Sequence, residues 1–209
     1  DNYGKIEAKY YDDFDYKLSA KYNKEGLLID VQRNELDINA LRSEYRGLFE
    51  LDDMKRFPYR LEDFEQESYQ LRLKLNELYG IRDSRLLEEY ASKLGAFRFD
   101  FYFVKSSKSD ISSEKFDAKY PYRQFSQTHR RQWLRKNIGV KIYRDKFRVR
   151  PYGENGDDWL HLGDRYSQNP IGAGQRMGGY HIRQNQIVGV VEISRLNSRK
   201  ERPFSIRCL

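Results

Sequence analysis

Apolar and polar residues alternate over the opening of the chain. Ile6, Ala8 and Tyr10 fall on one side of the run over residues 5–11, and Phe14, Tyr16, Leu18 and Ala20 fall on one side of the next. A period of two puts successive side chains on opposite faces of an extended backbone, so both runs predict strands. Asn23-Lys24-Glu25-Gly26 interrupts them with a glycine free to take positive φ, which predicts a hairpin turn and a return strand over residues 27–32. From Asn34 the spacing lengthens: Leu36, Leu41, Tyr45, Leu48 and Phe49 recur at helical intervals, with Asn34 or Asp37 as the cap. After Pro58, Phe64, Leu71, Leu75 and Leu78 share one face of a helix predicted over 61–79 and ended by Gly80. A third helix is predicted over 83–94, stopping at Gly95.

Aromatic residues then dominate residues 96–105, whose β-propensity predicts a central strand. Residues 106–124 read as a polar surface loop. Ser126 opens a short basic helix to Asn137 with Trp133 and Leu134 as apolar anchors. Residues 138–143 and 147–151 predict a hairpin around Arg144-Asp145-Lys146, with Val140, Ile142, Phe147 and Val149 facing inward. Residues 153–179 are loop-rich, and Gln184-Asn185-Gln186 separates two predicted strands over 179–183 and 187–194. No internal repeat recurs at a fixed period. The expected fold is α+β: a mixed sheet with helices on one face, divided into a β-meander plus helical segment over 1–94 and an α/β region over 95–209, or continuous across that boundary.

Composition narrows the function classes. A chain of 209 residues buries a core without disulfides or metal. Cys208 is the only cysteine and His129, His161 and His181 are the only histidines, so neither a disulfide framework nor a structural zinc site is expected. No apolar run reaches the roughly 18 residues of a membrane span and no leader pattern is present, which predicts a cytoplasmic protein with no membrane partner. The first residue is Asp1, which suggests a piece of a longer protein. Charge is polarised: residues 1–100 carry 17 Lys/Arg against 22 Asp/Glu, and residues 101–209 carry 22 against 10, for a net +7. A basic half attracts nucleic acid, nucleotide phosphates or an acidic neighbouring domain, and is equally compatible with a solvated face.

Three motifs have chemical potential. Gly172, Gly174, Gly178 and Gly179 suggest a phosphate loop, but their spacing matches neither the dinucleotide fingerprint nor a Walker loop, and a loop is the simpler reading. Glu154, Asp157 and Asp158 cluster three carboxylates in the basic half, where a metal or acid–base role competes with capping and arginine pairing. Arg144, Lys146, Arg148 and Arg150 form a basic stripe that period two places on one face of the hairpin. With Arg130, Arg131, Arg135, Lys136, Trp133, Tyr143, Phe147 and Tyr152 nearby, the composition suits a nucleic-acid surface.

The ordered motifs over residues 139–153, then Asp157-Asp158-Trp159-Leu160, then residues 185–194, resemble the middle, transducer region of the GHKL ATPase superfamily. That superfamily includes gyrase, MutL, MORC and ninety-kilodalton heat-shock chaperone proteins, and the resemblance is nearest to its uncharacterised bacterial branch. It covers residues 95–195 most clearly. The resemblance implies a ribosomal-protein-like transducer fold, with Asp157, Asp158 and Trp159 as a structural signature. It implies a non-catalytic fragment that senses nucleotide held by an N-terminal ATP-binding domain of the same protein, with room for a homodimer. ATP and magnesium are then expected in the parent protein, while the superfamily's nucleotide-binding signatures are missing from this sequence. After the strand over 187–194 the family offers a basic residue to the terminal phosphate, which makes Arg199, Lys200 and Arg202 the candidates. The alternative is a basic nucleic-acid-binding module, and a stand-alone enzyme using Glu154, Asp157 and Asp158 is a third reading.

Overall fold

The computed structural model describes residues 12–23, 26–74, 77, 85–86, 88–89, 95–106, 121–154, 157–164 and 182–193. Alternating residues form the first hairpin as expected: β1 (Tyr16–Asn23) and β2 (Gly26–Arg33) pair antiparallel, with Leu18 opposite Val31 and Ala20 opposite Ile29. The strand expected over 5–11 lies outside the described residues.

The helix expected from Asn34 is broken up. Asp37 caps α1 (Ile38–Ser43) by accepting from the N–H groups of Asn39 and Ala40. The Ser43 hydroxyl bonds back to the Asn39 carbonyl, and the chain tightens into short 3-10 turns at Arg46–Glu50 and Asp52–Lys55.

The long helix expected over 61–79 is also replaced. α2 (Leu61–Glu65) ends where Glu67 takes φ of 54°, and β3 (Ser68–Leu73) follows. Leu71, one of the leucines that fitted a helical spacing, also belongs to a set with a period of two. Tyr69, Leu71 and Leu73 lie opposite Val31, Ile29 and Leu27, so the apolar surface of β2 selects the strand. Of the helix expected over 83–94, residues 85–86 and 88–89 are described, and they are helical.

The aromatic run becomes β4 (Phe97–Phe103), and the basic helix becomes α3 (Gln127–Asn137), capped by the Ser126 side chain. The second hairpin is β5 (Gly139–Arg144) and β6 (Phe147–Val149). The final strand is β7 (Ile187–Ile193). Gln184–Gln186 before it is a 3-10 turn, and β7 takes β4 and β5 as partners in place of the preceding segment. The expected strand at 179–183 is therefore not formed at residues 182–183, and residues 179–181 lie outside the described set.

One seven-stranded sheet runs in the order β3-β2-β1-β4-β7-β5-β6. Its class is α+β with a mixed sheet, as expected from sequence. Every pairing is antiparallel except β5 with β7. β4 is central, and strands from both sides of residue 94 belong to the sheet because β1 pairs with β4.

The register places Leu71, Ile29, Ala20, Phe99, Val191 and Ile142 in a row on one face. The opposite face carries Gln70, Asp30, Ser19 and Asp100 in its matching row, where the Ser19 hydroxyl donates to the Asp100 carboxylate at 2.5 Å. The core concentrates on the apolar face, where Ala20, Tyr22, Leu27, Ile29 and Val31 are buried.

Phe101 lies opposite Gly189, and a Cβ at position 189 would run into the Phe101 ring, itself stacked on Phe99 at 4.7 Å. Gly189→Ala is therefore expected to destabilise the protein by about 1–3 kcal/mol through overpacking. The shift in urea unfolding midpoint measures this, and an unchanged midpoint would contradict the close packing of Phe101 over the strand.

Candidate functional site

The segments that carry the family resemblance are brought together at the base of the second hairpin. Gly139 takes φ of 98° and Gly153 φ of 70°, and their backbones approach so closely that a Cβ on either would strike the other strand's main chain. The cross-links are made by the expected signature residues. The Asp157 carboxylate accepts from Gly153 N–H at 3.1 Å, and the Trp159 indole donates to the Val140 carbonyl at 2.8 Å. The Asp158 carboxylate accepts from the N–H groups of Leu162 and Gly163 at 3.1 and 2.6 Å. Trp159 also meets Tyr152 edge-on with centroids 5.6 Å apart. A shallow pocket at this junction is lined by residues that include Val140, Trp159, Leu162 and Ile187.

These carboxylates are committed to backbone groups. Glu154 is committed to two arginines, Arg148 at 3.0 Å and Arg150 at 3.3 Å. Among the described residues no cluster of His, Cys, Asp and Glu has the composition of a metal site. Their chemistry is capping and pairing, the work that lets a loop fold back on a strand. His161 is exposed, with its Nδ1 2.9 Å from Asp164, and His129 lies exposed in the first turn of α3.

The basic stripe is not a single face. Arg144 lies opposite Phe147, whereas Arg148 lies opposite Tyr143, so the two arginines point to opposite sides of the sheet. A two-residue turn is the cause. Asp145 and Lys146 both take positive φ, 48° and 72°, which removes Lys146 from the strand and breaks the period on which the expectation rested. Arg148 is half-buried against Glu154, while Arg144, Lys146 and Arg150 are exposed. Phe147, expected to face inward, is 78% exposed, because β6 is a three-residue edge strand with no neighbour beyond it among the described residues. Arg199, Lys200 and Arg202 lie outside the described residues.

Sequence reasoning missed a buried charge cluster at the far end of β1 and β4. Arg130 on α3 is 1% exposed. Its guanidinium donates to Asp13 at 2.7 and 3.0 Å, to Asp15 at 2.9 Å and to the Lys105 carbonyl at 2.9 Å, and it stacks over Phe125. Asp15 also accepts from Lys105 N–H at 2.6 Å, and Arg123 reaches Asp13 at 3.1 Å. Beside them Glu35 is buried, accepting from the Tyr16 hydroxyl at 2.7 Å. Arg33 is packed on the rings of Phe64 and Tyr69, with an N–H donated to the Pro58 carbonyl.

Burial pushes the Asp15 carboxyl up, and Arg130 only partly offsets it. Burial likewise pushes Glu35 up, against the hydrogen bond from Tyr16. Burial opposes the charge on Arg130, but Asp13 and Asp15 outweigh it and hold the guanidinium more firmly protonated. The signal for this cluster was faint: charged residues dispersed at 13, 15, 35, 105, 123 and 130 have no common spacing. The cluster ties α3 to the sheet end. That geometry suits anchoring.

No protein-family model matches this chain, and neither a curated protein nor a solved structure matches it significantly.

Removing one member of a buried ion pair leaves its partner charged and desolvated. Arg130→Met is therefore expected to destabilise the fold by about 3–5 kcal/mol, and Asp13→Asn with Asp15→Asn in the same chain should restore part of the loss. Chemical denaturation of the two variants decides this. A midpoint unmoved by Arg130→Met would remove the cluster's anchoring role.

Glu35 predicts a pH dependence. Its folded-state carboxyl lies above the ordinary value of 4.5, so the folded chain holds the proton longer than the unfolded one does. Stability from this group is thus full below about pH 4.5 and is lost as pH rises through the raised value. Glu35→Gln should flatten that falling limb and raise stability at neutral pH, leaving the slope that Asp15 contributes. Unfolding free energies measured between pH 4 and 8 on both chains test it.

Proposed function

We propose that this chain is the coupling, or transducer, module of an ATP-dependent protein of the GHKL type that its sequence resembles, with no catalytic group of its own. It reads the state of a nucleotide held by an N-terminal domain of the same protein and passes that state on as a rigid-body movement. The observation that carries the reading is where β7 ends. Ile193, its last residue, pairs with Arg144, and its carbonyl accepts from Asp145 N–H at 3.1 Å. Ile193, the last described residue before Arg199, Lys200 and Arg202 in sequence, therefore lies beside the turn of the basic hairpin. A phosphate brought to that end would meet the exposed cations of the turn, Arg144 and Lys146.

The commitment of Asp157, Asp158 and Glu154 to backbone and arginine partners supports coupling over catalysis. These carboxylates do not fit a magnesium site, so ATP and magnesium belong to the neighbouring domain. The contribution of this chain is electrostatic. A cation placed against the developing charge of a transferred phosphate, in a site closed to water, supplies about 3–4 kcal/mol. A continuous sheet suits the mechanical part, since a load applied at the end of β7 is shared by β4 and β5.

Two measurements test the proposal together. The isolated chain, with ATP and magnesium, should show no turnover. In the whole parent protein, alanine at Arg199, Lys200 or Arg202 should lower ATP turnover about 100-fold at the sensing position while nucleotide affinity changes far less. Magnesium-dependent hydrolysis by the isolated chain, or a parent protein indifferent to all three substitutions, would refute it.

A further inference from the structure

The tip of the second hairpin carries an exposed ring that neither the core nor the coupling role uses. Phe147 is 78% exposed, the most exposed large hydrophobic residue among those described. Its backbone is also held in place. The ladder with β5 fixes its backbone, and the positive φ values of Asp145 and Lys146 fix the turn before it. Arg144 lies directly opposite the ring on the same face, and Lys146 precedes it in the turn. Neither cation is held in an ion pair among the described residues. Farther along the same edge come Arg150, with a side chain 76% exposed, and Tyr152, 37% exposed. β6 spans only three residues, so the tip and Arg150 are separated by about 10 Å of sheet edge.

A lone exposed aromatic residue on a protein surface is ordinary. An exposed ring beside two cations without an ion-pair partner among the described residues, with Arg150 beyond them held to Glu154 on one side, is a more specific arrangement, because it matches a ligand carrying both flat apolar surfaces and repeating negative charge. We propose that this edge binds single-stranded nucleic acid. Phe147 stacks on an unpaired base, Arg144 and Lys146 contact the flanking phosphates, and Arg150 continues the path. A duplex keeps its bases stacked internally and leaves the ring nothing to stack on, so single strands are preferred. The net charge of +7, concentrated in the half that contains this hairpin, adds long-range attraction for a polyanion. An anionic lipid surface would use the cations in the same way, but one ring on a short tip gives it little apolar area to bury. This inference narrows the nucleic-acid alternative; it shares Arg144 and Lys146 with the coupling reading and adds Phe147, which that reading does not use.

The test uses the full chain and fluorescence anisotropy of a labelled thymidine oligonucleotide of about twenty residues. Parallel probes are a mixed-sequence duplex of the same length, inorganic polyphosphate as competitor, and vesicles containing phosphatidylserine. The expected result is binding of the single strand, weakened about 5- to 100-fold by Phe147→Ala with no change in salt dependence, and retained by Phe147→Trp. Arg144→Ala with Lys146→Ala should instead lower the slope of log K against log salt by about 1.4, the value for two phosphates on a single strand. Phe147 packs against nothing essential, so Phe147→Ala should melt with the wild type. The proposal is overturned if Phe147→Ala binds the oligonucleotide as wild type does, if the duplex binds more tightly, if polyphosphate competes so fully that the ring is immaterial, or if only vesicles are bound.

Discussion

β7 is hydrogen-bonded along both edges, antiparallel to β4 on one side and parallel to β5 on the other. That double bonding joins two otherwise separate pieces, the meander β3-β2-β1-β4 and the hairpin β5-β6, into one sheet. It also fixes the register between them. Phe101 fills the space above Gly189, and Val191 continues the apolar row between Phe99 and Ile142. A slip of one residue would turn Val188, Val190 and Glu192 toward the core face and expose the apolar set. The junction at Gly139, Gly153, Asp157 and Trp159 depends on that register, because it is built against the start of β5.

Charge in this chain divides into two uses. The interior use is anchoring: Arg130 reaches Asp13, Asp15 and a main-chain carbonyl from a helix that also sets Trp133 against Tyr102 and buries Leu134. The other use is at the surface: around the hairpin turn Arg144 and Lys146 remain exposed while Arg148 is drawn down to Glu154. The count of basic residues in the second half therefore overstates what is offered to a partner. Fewer cations are displayed, and each has a defined position.

Much of the sheet was legible in sequence, because period two is a strong signal where one face is buried. β1 and the β5–β6 hairpin follow from it, β2 from the turn glycine, β4 from aromatic β-propensity and β7 from the Gln184-Asn185-Gln186 break before it, and the cap at Ser126 marked α3 correctly. The helix over 61–79 was not, because Leu71, Leu75 and Leu78 satisfy a helical spacing while Tyr69, Leu71 and Leu73 satisfy a strand spacing, and local pattern alone does not rank them. The unpaired edge of β2 decided the matter, and an edge is a tertiary fact. The basic stripe failed for a local reason: two turn residues at positive φ break the phase between β5 and β6, so counting by twos across Asp145 and Lys146 puts Arg148 on the wrong side. The capping roles of Asp157 and Asp158 were among the readings weighed from sequence. The Arg130 cluster was invisible because its members are far apart in the chain and join only when the sheet has formed.

The order in which the strands are synthesised has a consequence for folding. A ribosome releases β5 and β6 well before β7, and until β7 arrives the hairpin has no partner and β4 has an open edge. Two unpaired ladders then face each other across the gap that the last strand must fill. Such edges also accept strands from other nascent chains, so crowding on one message favours intermolecular pairing at that stage. Slow translation between residues 150 and 186 would lengthen the exposure, and holding factors that cover extended apolar chain would shorten its effects.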